Sequence, residues 1–330
     1  MNFDRRHVLA AALAALAAST VLAPEAMAAE AYPSKPITVV VAYPPGGDTD
    51  AIARLLADKL SQRLKQPVMI DNRAGAGGVV GNTFVSRAPA DGYTLLFTPN
   101  PFTTAPMVLK LAPKASYDVL NGFEPIIKTA TQPLLLVANP GAGVKTLPEM
   151  IAAAKAGKPM NYASPGAGSP MHVVAEWLNR SAGTQITHVP YRGVGPSVTD
   201  VVAGHVSTAW VTLGPVAQYM QQGKLIPLAI GDAHRSPLMP NVPTLVEYGY
   251  KDVVVGAWNG FFAPKGTPKE IVTLLNGHLN EIVKMPEVVE KLATFGALPA
   301  GGAPEVLGKT NASDFEVMGK VIKELGITAD

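Results

Sequence analysis

Apolar runs alternate with amphipathic stretches along most of the chain. Ile37 to Ala42 is an unbroken, largely β-branched run, the pattern of a strand covered on both faces, as in a parallel sheet. Ile52, Leu55, Leu56 and Leu60 then recur at helical spacing. Between them stands Tyr43-Pro44-Pro45-Gly46-Gly47-Asp48-Thr49-Asp50. This predicts a strand, a glycine loop and a helix capped by Thr49 or Asp50. A second stretch repeats the arrangement. Asn161-Tyr162-Ala163 ends a strand, Ser164-Pro165-Gly166-Ala167-Gly168 forms a small-residue loop, and Ser169 caps a helix with Pro170 at its first position. Met171, Val174, Ala175 and Leu178 make that helix's apolar stripe.

Further strands are predicted at Pro67–Ile70, Tyr93–Thr98, Leu134–Val137, Ile186–Val189, Ser207–Val211 and Leu225–Ile230. Helices are predicted at Val79–Arg87, after Thr146 as far as Gly157, and at Pro196–Ala203. This alternation predicts an α/β fold with mostly parallel sheets flanked by helices. Thr267-Pro268-Lys269-Glu270 reads as a capping box before a long amphipathic helix, and two more helices follow, near Pro286–Phe295 and Pro304–Leu325. A third glycine loop, Asp71 to Gly78, has part of a dinucleotide fingerprint. The next strand ends in Thr98-Pro99-Asn100 without the acidic residue such a site needs, so a tight turn with close helix packing is the reading.

Each glycine loop leads into a helix N-terminus, where unpaired N–H groups suit an anion, and glycine admits close approach or a positive φ. The segments PPGGDTDAIARLLA, NRAGAGGVVGN, ADGYTLL, YASPGAGSPMHVVAEW, HVPYRGVGPSVTDVVAGHV and FFAPKGTP resemble those of the Bug receptors, the periplasmic solute-binding proteins of tripartite tricarboxylate transporters. The resemblance runs from about Tyr32 to the C-terminus, in the family's order. It implies a two-lobed, type II periplasmic-binding-protein-like fold with a ligand cleft between lobes. It also implies a small organic carboxylate as ligand, a di- or tricarboxylate or an aromatic acid, and integral membrane subunits of such a transporter as partners. Lobe one is placed at 31–129 plus 253–330 and lobe two at 130–252, with crossings near Lys128-Thr129-Ala130 and Val253. Expected ligand-binding residues are Tyr43, Pro45, Gly46, Gly47, Asp48, Ser164, Gly166, Ala167, Gly168, Ser169, His172, Trp210 and Thr212. Trp210 has a second reading as a core residue. Asp48 would repel an anion beside it, so it serves the helix terminus or meets a ligand ammonium group. Arg73 and Arg192 can each pair with a carboxylate, and a surface ion pair explains either one as well.

Arg5-Arg6, an apolar run from Val8 to Leu22 and Ala26-Met27-Ala28 predict a signal peptide over residues 1–28, cleaved after Ala28. The paired arginines allow the twin-arginine or the general export route. The mature protein is therefore expected in the periplasm, as a monomer. Composition narrows the chemistry. With no cysteine there are no disulfides or thiolate sites. A net charge of +2 gives no basis for binding nucleic acid. The histidines show no metal-ligand spacing, and no metal or cofactor is expected. A hydrolase or isomerase on an α/β scaffold is the alternative. Two positions either side of Ser169 stand Ala167 and Met171, not the glycines of a nucleophile elbow, and Ser169 with His172 is the one pair that could imitate nucleophile and base. Capping and lining an anion site is the reading adopted, with no catalytic residue.

Overall fold

A computed structural model describes residues 32–112 and 116–328. The expected signal segment lies outside them. Contacts divide the chain into a unit ending at Ser34 and another from Lys35 onward, and the strands and helices of the described residues belong to the second. The first seven are β1 (Ile37–Val41), α1 (Asp48–Leu64), β2 (Val68–Asn72), α2 (Val79–Ser86), β3 (Thr94–Pro99), α3 (Pro101–Val108) and β4 (Phe123–Gln132). Next come β5 (Leu134–Ala138), α4 (Leu147–Lys155), β6 (Asn161–Ser164), α5 (Pro170–Ala182), β7 (Thr187–Pro190), α6 (Val194–Ala203) and β8 (Thr208–Thr212). The chain ends with α7 (Ala217–Gln221), β9 (Ile226–Ile230), β10 (Ala257–Pro264), α8 (Lys269–Ile282), α9 (Pro286–Thr294), β11 (Leu298–Pro299) and α10 (Pro304–Leu325).

Two sheets result, one of six strands in the order β11-β4-β10-β3-β1-β2 and one of five in the order β7-β6-β8-β5-β9. The α/β layering agrees with the sequence; the expectation of mostly parallel sheets does not. In the first sheet β1 pairs in parallel with β2 and β3, while β10 pairs antiparallel with β3 and β4, and β11 with β4. In the second, β6 pairs in parallel with β7 and β8, while β5 pairs antiparallel with β8 and β9. The parallel pairs belong to strand–helix–strand units, whose helical crossover returns the chain in the same direction. The antiparallel pairs involve strands beside the passages between the sheets. There β4 runs through Pro133 into β5, and β10 brings the chain back.

These passages lie side by side. Gly231 N–H donates to Leu134 O at 2.8 Å, and Val255 N–H donates to Gly231 O at 2.9 Å. Val40, Leu96, Phe102, Phe123, Phe262 and Leu307 build one core beneath the first sheet. Phe102 stacks on Phe262 with ring centroids 4.7 Å apart. Beneath the second sheet, Leu136, Val174, Leu178 and Trp210 pack with Val108 of α3 and with Met318, Val321 and Ile322 of α10. At 22 residues, about 33 Å, α10 is long enough to place Leu307 in one core and Ile322 in the other. The expected capping box is not formed: α8 follows Pro268, and Thr267 donates its hydroxyl to Pro264 O at 2.8 Å. Close helix packing after the third glycine loop is present. A Cβ on Gly81 would stand 2.9 Å from Ala42 Cα and 2.8 Å from Arg73 O.

Candidate functional site

The turns after β1 and β6 lie at the seam between the sheets. After β1, Gly46 has φ +85°, a conformation suited to glycine. Gly47 has φ −85° and is the N-cap of α1, with no side-chain cap. The expected capping by Thr49 or Asp50 is therefore absent, and the special backbone geometry belongs to Gly46. Asp50 has another task. Its buried carboxylate accepts from Gly46 N–H at 2.9 Å, Arg54 Nε at 2.9 Å and Asn72 Nδ2 at 2.8 Å. Burial pushes its pKa up, but the Arg54, Gly46 and Asn72 bonds outweigh that and hold it below the ordinary carboxylate value. Asn72 Nδ2 also reaches Tyr43 O at 3.1 Å, and the Tyr43 hydroxyl donates to Gly77 O at 3.0 Å. Pro45, Gly46 and Gly47 are exposed on this braced loop.

After β6, Ser169 caps α5 by accepting from His172 N–H at 3.2 Å, with Pro170 next, as the sequence predicts. Its hydroxyl donates to Gly166 O at 2.7 Å. Gly168 has φ +72°, donates its N–H to His172 Nδ1 at 3.0 Å and accepts from Thr104 Oγ1 of α3 at 3.0 Å. A Cβ on Gly168 would overlap Val108 Cγ2, so this glycine serves packing between α3 and the loop. The Ala167 N–H makes no hydrogen bond among the described residues. The N–H of Met171, at N2 of α5, has no intrahelical acceptor. The first turn of α5 contains no acidic residue.

Below the loop lies a stack that the residue order does not reveal. His172 stacks on His188 with centroids 3.9 Å apart, and His188 on Tyr162 at 4.9 Å. His188 Nε2 lies 2.6 Å from Ser164 Oγ. Burial, with His188 adding to it, lowers the His172 pKa to about 3, and burial lowers that of His188 to about 4. Both rings are neutral at neutral pH. Because Nδ1 of His172 accepts from Gly168, its proton sits on Nε2. Ser164 is fully buried, and Ser169 with His172 makes a cap rather than a nucleophile–base pair.

Each turn is tied by a side chain to an element packed with the other sheet. Thr212, ending β8, donates to Asp48 Oδ2 at the start of α1 at 2.9 Å, and Gln132 of β4 also hydrogen-bonds this carboxylate. Burial raises the Asp48 pKa, and these two bonds pull against it. Thr104 makes the second tie. Neither loop contains lysine or arginine. Trp210 is 1% exposed within the second core, which is the core reading left open by the sequence. Arg73 pairs with Asp71 at 2.7 Å and lies 3.6 Å over the Phe84 ring. Arg192 is exposed on the turn after β7, which is bound to the Ser164 loop by Tyr191 N–H to Ser164 O at 2.9 Å and Gly193 N–H to Pro165 O at 3.0 Å. Thr104, Gln132 and His188 escape a reading of loop motifs because each is brought to the site by another strand or helix.

The sequence profile described as "Tripartite tricarboxylate transporter family receptor" matches residues 52–327. Three solved structures are similar over nearly their whole length. Periplasmic binding protein BugD is 30% identical with a TM-score of 0.80, covering 91% of this chain and 100% of its own. A protein of R. palustris solved with adipate is 31% identical with a TM-score of 0.82, covering 90% of this chain and 99% of its own. MatC of Rhodopseudomonas palustris, solved with bound malate, is 32% identical with a TM-score of 0.78, covering 88% of this chain and 100% of its own. With its two mixed sheets and a turn from each tied across the seam, the chain belongs to the receptor family of the tripartite tricarboxylate transporters, the Bug receptors.

Proposed function

We propose that this protein is an exported solute receptor that captures a small organic carboxylate and presents it to membrane subunits of a tripartite tricarboxylate transporter. One observation carries the reading. Two turns without a basic residue, one from each sheet, are each tied across the seam, by Thr212 to Asp48 and by Thr104 to Gly168, and carry main-chain donors, among them the Ala167 and Met171 N–H groups. A carboxylate held there needs no side-chain cation, since each charge-assisted hydrogen bond is worth roughly 1.5–3 kcal/mol. Gly46 and Gly47 are assigned the opposite wall of the site. The adipate and malate bound to the two relatives support the ligand class. The division of strands between the sheets supports lobes near 31–129 plus 253–330 and 130–252, with α10 braced against both cores. The burial of Ser164 and the capping role of Ser169 favour a receptor over a hydrolase.

Titration calorimetry against mono-, di- and tricarboxylates, aliphatic and aromatic, tests this. Saturable binding of one class without turnover of ester analogues is the expected result. Turnover, or binding of none, counts against it. A second expectation concerns export. Protein recovered from the periplasm should begin at Ala29 by mass spectrometry, and soluble protein that keeps Met1 would refute cleavage after Ala28. No helix among the described residues is long and apolar enough to cross a membrane.

A further inference from the structure

The geometry points to Asp48 as the residue that selects the ligand: it is the counter-charge for an ammonium group, so the preferred solute is a carboxylate that also carries a protonated amine, as an amino acid does. This rests on the carboxylate site proposed above and specifies its chemistry.

The Asp48 carboxylate is held by two neutral donors, Thr212 at 2.9 Å and Gln132. Among the described residues no lysine, arginine or histidine forms an ion pair with it. Asp48 is half-buried; an ionised carboxyl partly withdrawn from water without a cation is costly, and burial is the first cause that raises its pKa. Asp50, two residues on, forms an ion pair with Arg54. Of the two carboxylates at the start of α1, Asp48 is thus the one without a cation.

A second observation points the same way. Gln132 accepts through Oε1 from Asn259 Nδ2 at 3.1 Å. The other end of that amide, Asn259 Oδ1, is buried and has no donor, and Asn259 as a whole is 1% exposed. This side of the seam thus holds an unpaired acceptor linked through Gln132 to the carboxylate of Asp48. An ammonium group, three donors and no acceptor, is the chemistry it is short of.

The two helix ends then acquire opposite roles. Asp48 already satisfies the positive N-terminus of α1 with its own charge, so a second carboxylate is disfavoured there. The first turn of α5 has no acidic residue and keeps its open N–H groups for the ligand's carboxylate. A zwitterion laid across the seam matches both ends, whereas a plain diacid leaves one carboxylate facing Asp48.

The test is calorimetry on wild type and Asp48→Asn. The probes are succinate, glutarate and adipate, each paired with its 2-amino counterpart: aspartate, glutamate and 2-aminoadipate. Alanine paired with propionate covers the monoacids. Wild type should bind the amino member of at least one pair tighter by about tenfold or more, the effect of one charge-assisted hydrogen bond. Asp48→Asn, which keeps the shape and can still bond Thr212, should remove that preference while plain acids bind at least as well as before. An unchanged melting temperature would show that the variant is folded. If the variant is unfolded, the wild-type pairs alone decide. Equal or tighter wild-type binding of the plain acids, or an equal loss for both members of a pair in the variant, would overturn the assignment and leave the carboxylate receptor standing. Binding of none of these probes would overturn the assignment, and extending the failure to tricarboxylates and aromatic acids would overturn the carboxylate receptor as well.

Discussion

Gly168→Ala is expected to lower stability by about 2–5 kcal/mol and to abolish measurable carboxylate binding. Two costs add. A non-glycine residue in the left-handed region costs about 1–2 kcal/mol, and Gly168 has φ +72°. Its new methyl group would also overlap Val108 of α3, and overpacking of this kind costs about 1–3 kcal/mol. Either the loop or α3 must move. Movement of the loop breaks the bonds from Gly168 to His172 and Thr104 and misplaces the Ala167 N–H. Urea unfolding of Gly168→Ala and of Gly168→Ala with Val108→Ala gives the check. The second change should recover part of the loss, because it removes the clash but not the strained φ. A melting curve like that of wild type for the single variant would show that α3 and the loop are not packed through this glycine.

The second large effect is expected at Asp50. Asp50→Ala leaves the Gly46 N–H and the Asn72 amide without their acceptor, a loss of about 2–3 kcal/mol. The Arg54 bond adds little, because Arg54 is 52% exposed and such pairs are screened. Ligand binding should fall with stability, since Asp50 is what fixes the Gly46 turn. The sign of the pH dependence follows from the lowered pKa. The ionised form favours the folded state, so its contribution is complete above the ordinary value of 3.8 and is lost as pH falls through the lower folded value. As pH falls below 3.8 the wild type should lose stability more steeply than Asp50→Ala. Parallel curves would mean that the carboxylate does not brace the turn.

These two residues also show how far the sequence can be read. Both strand–loop–helix units are visible in it, because a continuous apolar run, small loop residues and helical spacing are local signals. Ser169 with Pro170 is legible for the same reason. Asp50 lies in the right turn, but residue order alone favours a cap, and only the fold shows Asn72 and Gly46 converging on it. Gly168 reads as a residue that admits a ligand until α3 is seen against it. Longer-range features leave weaker traces. Phe123–Gln132 contains Pro125 and Lys128, and irregularities in its pairing with β10 interrupt the alternation of a strand. Its burial follows neither a two-residue period nor an unbroken run. The stack of Tyr162, His188 and His172 depends on the parallel register of β6 and β7, in which Tyr162 stands opposite His188. The mixed sheets have the same kind of origin: strand direction is set by where the chain passes between sheets, and the apolar pattern of a strand does not encode direction.

In the proposed site, main-chain donors at the start of α5, rather than a basic side chain, hold the ligand's carboxylate. A crystal structure of the complex with the tightest ligand from calorimetry tests this most directly. The expected result is a carboxylate with its oxygens within about 3 Å of the Ala167 and Met171 N–H groups, between Ser164–Ser169 and Gly46–Gly47. A carboxylate paired instead with the Arg192 or Arg73 guanidinium, with the Ser164–Ser169 turn untouched, would contradict it.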